Sequence, residues 1–223
     1  MAATRTAAAL AALLATTASA ATSQARVLDS GSFVILKGGD VVGVEEFQVR
    51  RTGADAFTVS ATAHYPAERP THVVTAVVHL SGDSVVSSAR FETQHARQAT
   101  LALVTVAGRR ITIRIGLPGR ESSREYPGTT EPVLLDDSLF GIHALRPPRT
   151  GEPVGLLWAR AGRRTGGDVT FHGQAETDVG GRRRTLLHVT VRGGEAVRHL
   201  WFDEEGRLQK VEAPDVGLTA VRR

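Results

Sequence analysis

Apolar and polar positions alternate with a period of two along most of this chain. Turn residues interrupt the pattern at short intervals, which predicts strands rather than helices. Ser32 to Lys37 reads as a strand that ends at Gly38-Gly39-Asp40. Val41 to Arg51 alternates through Phe47 and Val49, then turns at Gly53-Ala54-Asp55. Phe57, Val59, Ala61 and Ala63 share a face of the next strand, and Pro66 and Pro70 demand a loop after it. Val73 to Leu80 turns at Ser81-Gly82-Asp83 into Ser84 to Glu92. Leu101, Leu103 and Thr105 lead through Gly108 to Ile111, Ile113 and Ile115, a hairpin. Leu117 to Pro132, with three prolines and two glycines, reads as loop with at most a short edge strand. From Val154 the pattern is a meander, with strands at Val154–Ala161, Asp168–Thr177, Arg184–Arg192, Ala196–Asp203 and Arg207–Ala213.

Ten to twelve strands at this spacing without intervening helices imply an all-β, mainly antiparallel fold. It is expected to be a curved sheet, an open β-barrel or a sandwich. One stretch departs from the rhythm. Leu135, Leu139 and Ile142 stand at helical spacing, and Asp136 or Asp137 can cap a first turn, so a short helix is expected over Asp136–His143. Leu156-Leu157-Trp158 and Leu200-Trp201-Phe202 are apolar at consecutive positions. A half-exposed sheet alternates more cleanly. A second sheet, the short helix or a ligand must therefore cover the other face.

The N-terminus follows a different logic. Arg5 precedes an apolar run from Thr6 to Ala15 that closes on Ala18-Ser19-Ala20, the layout of a secretory signal peptide cleaved near Ala21. The expected organisation is a signal peptide over 1–20, a flexible lead-in over 21–31 and a single β domain over 32–223. The expected location is periplasmic or secreted. No later run is long and apolar enough for a membrane span. The chain contains no cysteine, which removes disulfides, thiolate metal sites and a lipidated cysteine.

The formal charge of +4 comes from 25 Arg and two Lys, and Asn is absent. A GC-rich bacterial genome is the simplest cause of both biases, so the arginine excess does not by itself indicate nucleic-acid binding. Clusters at Arg163-Arg164 and Arg182-Arg183-Arg184 sit beside glycine pairs and read as solvated hairpin tips, with a phosphate-binding patch as the alternative.

Phe33-Val34-Ile35-Leu36-Lys37-Gly38-Gly39-Asp40-Val41-Val42-Gly43-Val44-Glu45-Glu46-Phe47 resembles the first hairpin of exported bacterial β-proteins classed as domains of unknown function. Leu200-Trp201-Phe202-Asp203-Glu204-Glu205-Gly206-Arg207-Leu208-Gln209-Lys210-Val211-Glu212-Ala213-Pro214 resembles their terminal hairpin. The turn Asp203–Gly206 is then expected to be the last one, with Trp201 buried. These proteins are in turn similar to the LolA/LolB-like open β-barrel, whose members carry lipid or acyl chains. That relation implies an apolar cavity closed by short helices.

Candidate chemistry is sparse. Val27-Leu28-Asp29-Ser30-Gly31 resembles the aspartic-protease motif, but no preceding strand and no second Asp-Ser/Thr-Gly accompany it. Gly82-Asp83-Ser84 resembles an esterase nucleophile block and reads better as a turn. The eight histidines form no metal-ligand spacing, although His188 and His199 lie on neighbouring strands and can meet across a hairpin. The leading expectation is a non-enzymatic periplasmic protein that binds an apolar, lipid-like ligand or an envelope component, without a cofactor. Leu135, Leu139, Phe140, Ile142, Trp158 and Trp201 are expected to line its pocket. An envelope structural or assembly protein without a small ligand is the alternative, and a hydrolase at Asp29 the third reading.

Overall fold

Period-two patterning places Phe33, Phe47, Val59, Ala61, Val74, Ala76, Phe91, Val104 and Ile113 on one face, where all are buried. Each strand then needs a neighbour for its backbone groups, and successive hairpins supply one. The computed structural model describes residues 25–82, 85–96, 98–128, 132–145, 147–148 and 153–223. The expected signal peptide and Asp83-Ser84 lie outside these residues.

Fifteen strands form one sheet among the described residues. They are β1 (Arg26–Lys37), β2 (Asp40–Arg51), β3 (Phe57–Tyr65), β4 (His72–Leu80), β5 (Val86–His95), β6 (Gln98–Ala107), β7 (Arg110–Leu117) and β8 (Arg120–Pro127). After these come β9 (Pro132–Leu135), β10 (Val154–Trp158), β11 (Arg163–Val179), β12 (Arg182–Gly193), β13 (Ala196–Phe202), β14 (Leu208–Ala213) and β15 (Leu218–Arg222). The order across the sheet is β8 back to β1, then β15 back to β9. Every pairing is antiparallel except β9 with β10. The first and last strands therefore meet in the middle, with Val34 opposite Val221 and Ile35 opposite Ala220.

The two edges, β8 and β9, share no ladder among the described residues, so the sheet is open. It nevertheless curls until edge strand β8 reaches the turn between β10 and β11. Tyr126 Oη and Arg124 Nη1 of β8 donate to the Gly162 carbonyl, at 2.6 and 3.0 Å, in the turn after β10.

The all-β expectation holds, with differences in detail. Residues 26–31, expected as lead-in, belong to β1, because Arg26 to Gly31 continue the ladder with β2. Leu117–Pro132 contains an eight-residue edge strand, β8, since the polar run can pair on one side and face water on the other. Asp203–Gly206 does form a turn: Asp203 N donates to the Arg207 carbonyl, and Gly206 adopts φ +75°. It is not the last one, because β15 follows and fills the gap beside β1. The expected helix over Asp136–His143 contracts to a single 3-10 turn, Gly141–His143.

The double-faced strands also find their cover. β11 and β12 extend beyond the end of β13, because Leu187 already faces Phe202 while β12 runs on to Arg182. The overhanging hairpin packs Val179 and Leu186 against Trp201 and Val221, with Leu36 and Ala175 at the margin. This second apolar cluster lies apart from the main core.

Candidate functional site

The main interior is occupied by the chain itself. Residues 136–145 leave β9 and fold against the inner face, burying Leu139, Phe140 and Ala144 completely or nearly so. Two glycines allow the close fit. A Cβ on Gly141 would stand 2.7 Å from Glu45 Oε1 and from Phe47 Cβ. A Cβ on Gly43 would collide with the ring of Tyr65.

Polar anchors hold this plug from several strands. Glu45 of β2 is fully buried and accepts from the amides of Phe140 and Gly141, at 2.9 and 2.6 Å. No local side chain caps the 3-10 turn, so a carboxyl from a distant strand takes that part. Burial raises the Glu45 pKa to about 8; the two amides oppose that shift and Asp136 adds to it. Tyr65 of β3 donates to the Ser138 carbonyl at 2.6 Å, and burial raises its phenol first, with Glu45 and Asp136 adding to the effect.

Asp136 binds Arg160 through both oxygens, at 2.6 and 2.7 Å, and accepts from the Ser138 amide at 2.9 Å. Arg160 also donates to Ser138 Oγ and Thr93 Oγ1. Arg198 of β13, fully buried, joins Asp137 of the plug at 2.9 Å to Asp215 of the β14–β15 turn. Its Nε has no partner among the described residues.

Beside the plug lies an apolar pocket of about 90 Å³. Ile142, His143 and Leu145 form its plug side, Val78, Leu80 and Val86 its sheet side, and Pro147 and Pro148 its rim. An apolar cavity of about 150 Å³ accepts benzene, so this space is too small for a lipid chain. His143 Nε2 is buried without a partner among the described residues. Burial and then Arg198 push His143 down to about 3, against a weaker pull from Asp136.

The six residues expected at a pocket do not come together at one. Leu135, Leu139 and Phe140 are core residues with at most 1% exposure, while Ile142 alone lines the pocket. Trp158 is buried, donates to Asp137 at 3.4 Å and lies under Arg163. Trp201 is buried as expected but belongs to the second cluster. Its ring stacks on His188 at 4.1 Å and donates to Glu212 at 3.3 Å. The overhang of β11–β12, invisible to strand counting, separates it from the others.

His188 and His199 meet as expected, with Nε2 and Nδ1 3.0 Å apart. His172 stacks on the other side of His188 at 4.5 Å. Burial and these neighbours lower His188 to about 4. Among the described residues no group of three or more His, Cys, Asp or Glu is arranged to hold a metal ion. Asp29 is bound at both oxygens by Arg222, at 2.6 and 2.9 Å. Asp136, in the stretch Leu134-Leu135-Asp136-Asp137-Ser138 that comes nearest to a second copy of the motif but lacks its glycine, is likewise taken by Arg160.

Sequence reasoning missed Glu45 and Arg198. Both carry a readable signal: Glu45 is in phase with buried Phe47 and Val49, and Arg198 with Leu200 and Phe202. A charge on the apolar face of a strand needs a partner inside.

No protein-family model matches the chain. No curated protein matches it either. Among solved structures it is similar to the crystal structure of a β-barrel-like protein of domain of unknown function DUF1849 from Brucella abortus. The TM-score is 0.55 at 9% identity, over 87% of this chain and 94% of that one. At that identity the likeness concerns the fold: this chain has a β-barrel-like fold shared with a bacterial protein of unknown function.

Proposed function

We propose that this chain is an exported, non-enzymatic interaction protein of the bacterial envelope that meets its partners with its outer surface. The observation that carries this reading is the plug: Leu139, Phe140 and Ala144 occupy the interior where a carried ligand would sit. The leader-like N-terminus supports export, and the resemblance to LolA/LolB-like proteins supports an envelope setting. The pairing of Asp29 with Arg222 supports a structural rather than a catalytic carboxylate.

The carrier reading, part of the leading expectation from the sequence, becomes second: the small apolar pocket beside Ile142, where His143 Nε2 is unpartnered among the described residues, would have to widen to take a chain. It requires the plug to leave, and that means breaking the contacts of Glu45, Arg160 and Arg198 together.

Two measurements test the proposal. Intact mass of the protein from the exported fraction should correspond to loss of about twenty residues; full-length chain confined to the cytoplasm would overturn the export part. Native mass spectrometry and titration with a fluorescent fatty acid should show no lipid held in the interior, so that any binding seen is left unchanged by Phe140→Trp. Stoichiometric binding that Phe140→Trp abolishes would replace this reading with the carrier. Proteolysis sensitive to pepstatin and lost in Asp29→Asn would replace both with a protease.

A further inference from the structure

The overhanging hairpin that covers Trp201 also creates a surface feature with its own chemistry. Between its tip and the β15–β1 pair lies an open groove of about 910 Å³. Its floor is aliphatic: Val34 and Leu36 from β1, Val221 from β15 and Val179 from the hairpin. Its walls are basic, with Arg182, Arg183 and Arg184 on the hairpin and Arg222 and Arg223 facing them.

These cations are not equivalent. Arg222 is committed to Asp29, and Arg183 lies 3.4 Å from Glu176 on the surface. Arg184 donates to the neutral Gln209 at 3.0 Å. Arg182 makes no ion pair among the described residues, and the acidic side chain lining the groove, Asp178, accepts from the Gly181 amide. Positive charge is thus left over above an apolar floor. Guanidinium groups match phosphate oxygens in geometry and charge, whereas aliphatic floor residues have no use for a fully hydrophilic anion.

We propose that this groove docks an anionic lipid at a membrane surface, the arginines holding the phosphate of the headgroup and the floor receiving the first methylenes of its chains. The proposal rests on the surface-interaction reading above and gives it a site and a class of partner.

Flotation of the purified chain with vesicles of phosphatidylcholine containing phosphatidylglycerol tests it, against vesicles of phosphatidylcholine alone. The expected result is binding to the first only, weakened by salt. Arg182→Gln with Arg183→Gln removes two exposed charges and should weaken binding about thirtyfold, at about fivefold per arginine near an anionic surface. Arg50→Gln with Arg69→Gln removes the same charge elsewhere and should have little effect. Val34→Ser should weaken vesicle binding while leaving the circular dichroism spectrum unchanged. Equal losses in the two arginine pairs would mean non-specific attraction and overturn the site. Full competition by glycerol phosphate alone would mean a free-phosphate site and overturn the lipid. Neither result bears on export or on the filled interior, so the two proposals fail separately.

Discussion

At the scale of single residues, the most telling positions carry polar groups where the pattern demands apolar ones. Glu45 sits between buried Gly43 and Phe47 and is completely covered. It is tolerated because two backbone amides of the plug point at it and because burial keeps it largely protonated near neutral pH. Trp201 has a different role. It bridges the sheet and the overhanging hairpin, with His188 on its face and Glu212 on its indole nitrogen. Trp201→Ala should cost about 3–5 kcal/mol, the usual range for deleting a buried large aromatic side chain. Urea unfolding measures it, and a loss below about 1 kcal/mol would mean that the second cluster holds little of the fold together. Gly141→Ala should cost about 1–3 kcal/mol, since its methyl group has no room between Glu45 and Phe47. An unchanged unfolding midpoint in that variant would mean that the plug is loosely seated.

At the scale of elements, what was legible in the sequence follows from what each element has to satisfy. β2, β3, β4 and β7 alternate because one face meets the core and the other meets water, so period-two reading found them. β8 is legible only as a short edge strand, not at its full length, because Arg120-Glu121-Ser122-Ser123-Arg124-Glu125 has no apolar face to show. β15 escaped because it has five residues and owes its place to β1, almost two hundred positions away. The spacing of Leu135, Leu139 and Ile142 predicts a helix for the plug. Its polar residues turn to other partners instead: Asp136 to Ser138 and Arg160, Tyr65 to the Ser138 carbonyl, and Glu45 to the first amides. Those partners come from distant strands, which no local pattern encodes. Arg160 is the anchor with the clearest test. Arg160→Ala leaves Asp136, 4% exposed, without its cation, and should cost about 3–5 kcal/mol. The same variant should make the plug more susceptible to limited proteolysis, and unchanged cleavage would refute its anchoring role.

For the molecule as a whole, the buried titratable groups set opposite slopes of stability against pH. Glu45 titrates near 4.5 when unfolded and about 8 when folded, so between those values the unfolded chain has released a proton that the fold retains. Its contribution is therefore lost as pH rises, by at most about 1.4 kcal/mol per unit. His143 moves the other way, from 6.5 unfolded to about 3 folded, so stability is lost as pH falls below 6.5. Exposed in part, His188 adds weakly to the acid-side loss. Stability should therefore peak near pH 6.5, falling toward 8 on one side and, after a shallow shoulder where the two groups oppose each other, below 4.5 on the other. Urea midpoints across this range test the shape, and Glu45→Gln should remove the alkaline decline. A wild-type midpoint that climbs from pH 6.5 to 8 would contradict the assignment.

The meeting of β1 with β15 at the centre of the sheet also bears on the order of folding. Synthesis delivers β1 first and β15 last, and the ladder from Phe33–Arg222 to Lys37–Leu218 spans nearly the whole chain. Hairpins β2 to β8 can zip locally, but one side of β1 keeps its amides and carbonyls unmet until the final strand arrives. Contacts so distant in sequence make folding slow. The sheet therefore stays in two halves until β15 is available to join them. The same delay leaves an unpaired central edge on which two incomplete copies could pair and aggregate.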